Sequence, residues 1–316
     1  MLTIIMREFG GPDVLRVEEK DDPVPGPGEV VVGVSFASVT FVETQVRSGS
    51  GPFGRPPLPR TPGNGVGGRV TAIGDGVDPA LLGAVVVTTT GGTGGYAESA
   101  LARAADVVVV PAGVDLRDAV ALLADGRTAL LLTRDVPPRA GETVLVEAAA
   151  GGVGSLLVQL AVAAGARVIG AAGGARKGEL VAELGAEFVD YTRPGWAGEL
   201  GQVDTVFDGV GGTIGAAAAG LLRTGGRISV YGMAAGTPTD LPDDVVEARA
   251  IHVHGLTGAP SPAENRALIR RALDLAADGR WRPVVGQAYP LTEAGAAHAA
   301  IESRATLGKT LLKVGA

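Results

Sequence analysis

One short run holds the residues best suited to chemistry. Ala148-Ala149-Ala150-Gly151-Gly152-Val153-Gly154 follows the apolar run Thr143-Val144-Leu145-Val146 and opens a stretch where Val153, Leu156, Leu157, Leu160, Ala161 and Ala164 recur at helical spacing. A dinucleotide pyrophosphate needs backbone at close approach and the unpaired N–H groups of a helix N-terminus. Glycine at 151, 152 and 154 keeps side chains out of that path. The strict G-x-G-x-x-G would place a glycine at 149, where Ala149 stands. A glycine-rich turn is by itself often only a tight turn. The strand before it, the helix after it and a second strand ending about twenty residues later identify it as a nucleotide site.

That second strand ends at Ala171-Ala172-Gly173-Gly174, with no Asp or Glu to accept ribose hydroxyls, and Arg176 and Lys177 follow. Cationic donors pair with a 2′-phosphate that a carboxylate would repel, so the cofactor expected is NADPH. The plainer reading of the pair is the solvated start of the next helix. Asp125 lies in the apolar run Ala119–Leu132, near Thr128. Burial would raise its pKa toward general-acid use, and the alternative is a salt bridge to Arg127 or Arg134. No metal site is expected. Cysteine is absent, and of the three histidines His252 and His254 share a strand face without a third ligand, while His298 stands apart. P-loop, G-x-S-x-G and H-E-x-x-H patterns are missing, which removes the kinase and hydrolase readings.

The elements that must position these residues fall into two textures. Up to about residue 120, short runs such as Glu29–Val34, Gly67–Ile73, Ala84–Thr90 and Val107–Val110 read as strands bounded by Gly, Pro or Asp. From residue 121 strands alternate with helical stretches. The strands are Thr143–Val146, Arg167–Ala171, Val203–Phe207, Arg227–Tyr231 and Ile251–Leu256, and the helices include Lys177–Leu184, Ile214–Leu222 and Ala263–Ala277. Such alternation predicts a parallel sheet with crossover helices. The closing run Thr310–Val314 reads as a strand returning to the first region.

Of 316 residues 50 are Gly and 20 Pro, yet 46% are hydrophobic, which excludes wholesale disorder. Only 4% are aromatic, so the core must rest on Ala, Val and Leu. A net charge of -7 disfavours a nucleic-acid partner. Met1–Gly11 shows no secretory signal, and the uncharged run Ala148–Ala166 contains Gly151, Gly152, Gly154, Gly165 and Gln159, which suit a turn and helix rather than a membrane span. A soluble cytoplasmic protein with no membrane partner is expected.

The ordered motifs resemble the zinc-independent quinone oxidoreductases of the medium-chain dehydrogenase/reductase superfamily, the group that includes zeta-crystallin. Phe9-Gly10-Gly11-Pro12 to Leu15, Glu43-Thr44, Val46-Arg47-Ser48-Gly49, Pro62-Gly63 through Gly74, Gly94-Gly95-Tyr96-Ala97-Glu98, the Gly151 turn, Glu302-Ser303-Arg304-Ala305-Thr306 and Gly308-Lys309 carry the resemblance end to end. It implies an α/β chain with a GroES-like β-rich domain over 1–120, completed by 282–316, and a doubly wound Rossmann sheet over 121–281. It implies NADPH contacts at Thr128, Gly151, Gly152, Val153, Gly154, Gly173, Lys177 and Tyr191. Arg176 joins this set from its charge, and Gly232 and Met233 correspond to a wall near the nicotinamide. Tyr191 alone would read as a half-buried strand residue. A small quinone or enone is the implied substrate, and a homodimer joined at a strand edge the implied assembly. Where zinc relatives carry His-Glu after the Pro-Gly, this chain has Asn64-Gly65.

The chain departs from the family at its substrate cleft. Thr40 stands where Asn is common, Gln45 where Tyr is, and Leu130 where an aromatic is often found. Thr40 and Gln45 keep hydrogen-bond donors for an acceptor oxygen, Phe53 supplies a ring, and Thr40 and Asp125 are the only candidates for proton transfer. Two alternatives stand beside a quinone reductase: an enoyl reductase or recruited tailoring enzyme of a biosynthetic pathway, and an NADPH-binding protein with little turnover in a structural or sensing role.

Overall fold

The computed structural model describes residues 1–51, 54–256 and 260–315. The chain divides into two compact units, Met1–Arg127 with Pro260–Ala316, and Thr128–Ala259.

The first unit begins with the antiparallel pair β1 (Leu2–Met6) and β2 (Leu15–Glu19). Its main sheet is built on β3 (Glu29–Val39), whose valines are all buried and which α1 (Phe41–Ser48) follows directly. β4 (Gly65–Ile73), β5 (Val85–Thr89), β6 (Ser99–Arg103) and β7 (Val108–Val109) come next, before α2 (Leu116–Asp135) runs from this unit into the second.

The second unit alternates without a break. β8 (Thr143–Glu147), α3 (Gly152–Ala163), β9 (Arg167–Ala172), α4 (Ala175–Glu183) and β10 (Glu187–Asp190) form one half. β11 (Val203–Asp208), α5 (Gly212–Gly220), β12 (Leu222–Val230), α6 (Asp243–Ala248) and β13 (His252–Gly255) form the other. All pairings are parallel, in the order β10-β9-β8-β11-β12-β13. From β8 the chain winds outward through β9 to β10, then returns to lay β11 on the other side of β8. The carboxyl ends of β8 and β11 therefore flank a topological switch point, where an open α/β sheet leaves a crevice. Leu145, Ile169, Val206, Leu222 and Ile228 hold the sheet in one buried cluster.

The chain then re-enters the first unit with α7 (Pro262–Ala277), β14 (Gln287–Pro290), α8 (Ala294–Glu302) and β15 (Thr310–Lys313). β15 inserts between β14 and β3, giving the order β14-β15-β3-β4-β5-β7 with β6 also on β3. The boundary expected after residue 281 lies earlier, because α7 belongs to the first unit. Its Arg266 guanidinium reaches Ala105 O, and Asn265 accepts from Arg127. An alternating pattern shows that a helix exists, not which neighbour buries its apolar face. Among the described residues no helix is long and apolar enough to cross a membrane.

Candidate functional site

The crevice at the switch point is built from three turns. The first joins β8 to α3. Ala148 takes a φ of 49°, its carbonyl accepts Gly151 N–H at 2.8 Å, and Gly151 caps α3 without any side-chain bond. The first N–H groups of α3 are thus left for a ligand. A Cβ at Gly154 would come 2.2 Å from Ala148 O, so only glycine allows the helix this close to the turn. Ala149 is fully buried, and a Cβ at Gly170 on β9 would lie 3.0 Å from its methyl. The missing glycine at 149 is thereby compensated by one on the neighbouring strand.

The second turn follows β9. Gly173 lies against Tyr191, whose ring edge would be 3.5 Å from a Cβ there. Tyr191 sits just past β10 in a turn, half-buried, rather than in the strand itself. Lys177 is in the first turn of α4 and half-buried, whereas Arg176 beside it is exposed. No acid was expected at this turn, yet Asp190 arrives from the end of β10 and accepts Gly174 N–H at 3.2 Å. The Thr192 hydroxyl at 2.6 Å is the main cause that holds its carboxyl below the usual range. No local signal on β9 reveals an acid delivered by the next strand.

The third turn follows β11. Tyr231 N–H and Gly232 N–H both reach Asp208 O, and a Cβ at Gly232 would meet Gly209 O at 2.5 Å. Met233 lies against Gly211. Gly151–Gly154, Gly173, Lys177, Tyr191, Gly232 and Met233 thus all stand at carboxyl ends of the parallel sheet. Thr128 and Leu130 are half-buried on α2 in the same unit.

The first unit holds a separate polar cluster. Thr40 caps α1 in a capping box: its hydroxyl accepts Glu43 N–H at 3.4 Å while Glu43 accepts Thr40 N–H at 2.7 Å. Glu43 also takes Asn64 N–H at 3.0 Å and the Tyr96 hydroxyl at 3.2 Å, and burial raises its pKa. Gln45 is half-buried on α1, and Phe53 lies outside the described residues. Asp125 pairs with neither Arg127 nor Arg134. Its carboxylate meets Lys309 Nζ at 3.2 Å, with the side chains 13% and 4% exposed. Arg127 instead bonds Asn265, and Arg134 pairs with Asp135. Sequence proximity suggested the wrong partner because β15 brings Lys309 under α2.

The comparisons decide the family. An alcohol dehydrogenase GroES-like domain model matches residues 26–112, and a zinc-binding dehydrogenase model matches 184–312. The quinone oxidoreductase of Sus scrofa is 32% identical over 99% of this chain and 97% of its own. The chain belongs to the quinone oxidoreductase family of the medium-chain dehydrogenase/reductase superfamily. As a member it is an oxidoreductase with the expected GroES-like and Rossmann parts. Two solved structures are similar over 99% of this chain: a mycobacterial protein complexed with NADPH (33% identity, TM-score 0.88) and the Escherichia coli quinone oxidoreductase complexed with NADPH (29%, 0.89). The match covers 99% of the mycobacterial chain and 100% of the Escherichia coli chain.

Despite one model's description, the described residues contain no group of three or more His, Asp or Glu able to hold a metal ion. At the position following Pro62-Gly63, Asn64 spends its side-chain oxygen on Gly92 N–H at 2.7 Å.

Proposed function

We propose that this oxidoreductase moves hydride from NADPH to a small quinone or activated enone without zinc. The observation that carries the reading is the switch-point crevice itself. A glycine turn with an uncapped helix, followed at the next strand by Gly173, Lys177 and Tyr191, is suited to a phosphorylated dinucleotide. The two similar structures complexed with NADPH support it.

The nicotinamide, when bound, supplies the hydride. The N–H groups at Gly152, Val153 and Gly154 hold the pyrophosphate, and the Lys177 ammonium pairs with the 2′-phosphate, with Tyr191 and Arg176 on its flanks. Thr128 and the Gly232–Met233 segment orient the nicotinamide end. Thr40 and Gln45 donate to the acceptor oxygen as negative charge grows there. The Thr40 hydroxyl uses only a lone pair in its cap, so its hydrogen remains for this. Leu130 and Phe53 supply apolar contact. Asp125 is a structural partner of Lys309 in this reading, not a proton donor. We place the enzyme in the cytoplasm as a homodimer joined at β13, the outer strand of the parallel sheet, where Val253 is 48% exposed.

NADPH oxidation with an ortho-quinone and with a simple enone, each against a no-acceptor blank, tests the reaction. Turnover of either supports it; binding without turnover of any acceptor leaves a non-catalytic NADPH protein. The Lys177→Ala variant tests the cofactor. It should lose about 1–3 kcal/mol of NADPH affinity with NADH affinity nearly unchanged, read by fluorescence titration. Equal loss for both nucleotides removes Lys177 from the phosphate.

A further inference from the structure

Two carboxyl groups meet at the floor of the crevice. Glu147 ends β8 and Asp208 ends β11, the two strands flanking the switch point, and both residues are fully buried. The Val210 N–H lies 3.1 Å from Glu147 Oε2 and 3.0 Å from Asp208 Oδ1. One N–H shared by two anions leaves them repelling each other in a low-dielectric interior. Asp208 is the better served: it also takes Gly211 N–H at 2.8 Å and the Thr239 hydroxyl. Glu147 Oε1 has no partner. Glu147 is therefore the member suited to carry a proton, and the Asp208 carboxylate is the group that would accept it as a hydrogen bond.

The surroundings agree. Burial, followed by the hydrogen bond and the charge of Asp208, pushes the Glu147 carboxyl up to about 10. From β12 the facing ionisable group is the Tyr231 phenol, whose hydroxyl lies 3.4 Å from Glu147 O and against Gly209. From α5 and the segment before α6 come Gly215 and Thr239, neither charged. The charge acting on Glu147 is that of Asp208.

Each member anchors one turn of the crevice. Glu147 directly precedes Ala148 with its left-handed φ, and Asp208 closes the 209–211 turn against Gly232 and Met233. We propose that Glu147 and Asp208 hold a single proton between them, and that this proton positions both turns for the dinucleotide. Removing it sets two like charges face to face and drives the turns apart, so nucleotide affinity falls at alkaline pH. The inference rests on the nucleotide reading above, and neither residue is assigned contact with the ligand.

Glu147→Gln supplies an amide that donates to Asp208 at every pH. NADPH affinity, titrated by fluorescence from about pH 7 to about pH 10.5, should fall at least tenfold more in the wild-type protein than in this variant. Every other ionisable group is common to both proteins, so the difference isolates the pair. Parallel profiles overturn the proposal. Infrared spectroscopy supplies a readout that needs no ligand: at about pH 8 the wild type should show a protonated-carboxyl stretch that shifts in Asp208→Asn and vanishes in Glu147→Gln. Absence of that band also overturns the proposal. If neither protein binds NADPH, the nucleotide reading has failed while the band still decides where the proton is. Should Glu147→Gln fail to fold, loss of the band with rising pH must track loss of affinity in the wild type, and a mismatch refutes the coupling.

Discussion

At the scale of single residues, His298 shows what burial does to an ionisable group. It is fully buried on α8, with Nε2 3.0 Å from the Tyr96 hydroxyl and no partner for Nδ1. Burial, with the Arg47 charge adding to it, pushes its pKa down to about 3. The unfolded chain then binds the extra proton through the window from about 6.5 down to about 3. This contribution to stability is complete above about pH 6.5 and is lost as pH falls toward 3. The melting temperature should therefore drop on acidification, and His298→Gln should drop less steeply over the same range. Thermal unfolding followed by circular dichroism at a series of pH values measures it. Equal slopes would mean that His298 is protonated in the folded state. None of this was legible locally, because one histidine among the alanines of Ala294–Glu302 gives no hint of Tyr96.

At the scale of elements, an ion pair ties α2 to the residue leading into β15. Asp125 and Lys309 are both nearly buried, and the ammonium, carried by the residue just before β15, reaches the Asp125 carboxylate on α2 at 3.2 Å. Replacing Asp125 by Ala leaves the buried Lys309 ammonium without its ion-pair partner, and a urea transition should show a loss of about 3–5 kcal/mol. A catalytic Asp125 would behave differently, lowering turnover with stability unchanged. Elements differ in how plainly their residues mark them. The central strands β8 and β9 stand out by their apolar runs, Val144–Val146 and Val168–Ala172, because both faces are covered. The edge strand β10 does not: Glu187-Phe188-Val189-Asp190 is short, and its Phe188 is 38% exposed. β2 and β6 are short and carry exposed positions, and β6 pairs with the distant β3, which blurs the signal.

At the scale of the whole molecule, the chain closes its first unit with its last strand. Leu312 on β15 is fully buried in a cluster with Ile4, Val34, Ala37 and Tyr96. Leu312→Ala should destabilise the protein by about 2–5 kcal/mol in chemical denaturation, the cost of the lost contacts and the cavity. A loss below about 1 kcal/mol would show that β15 is a dispensable edge. The sequence by itself determined the local matters: the glycine turn before α3, the basic residues after β9, the alternation that demands a parallel sheet, and the motif order that marks the family. Those rest on spacing within a few turns of chain. Only the tertiary structure decided which distant groups meet. The order β10-β9-β8-β11-β12-β13 sets Glu147 beside Asp208, and the insertion of β15 sets Lys309 beneath Asp125. Pairings of that kind follow from which apolar faces are buried against one another, and burial is what turns a neighbouring charge into a partner or a proton holder.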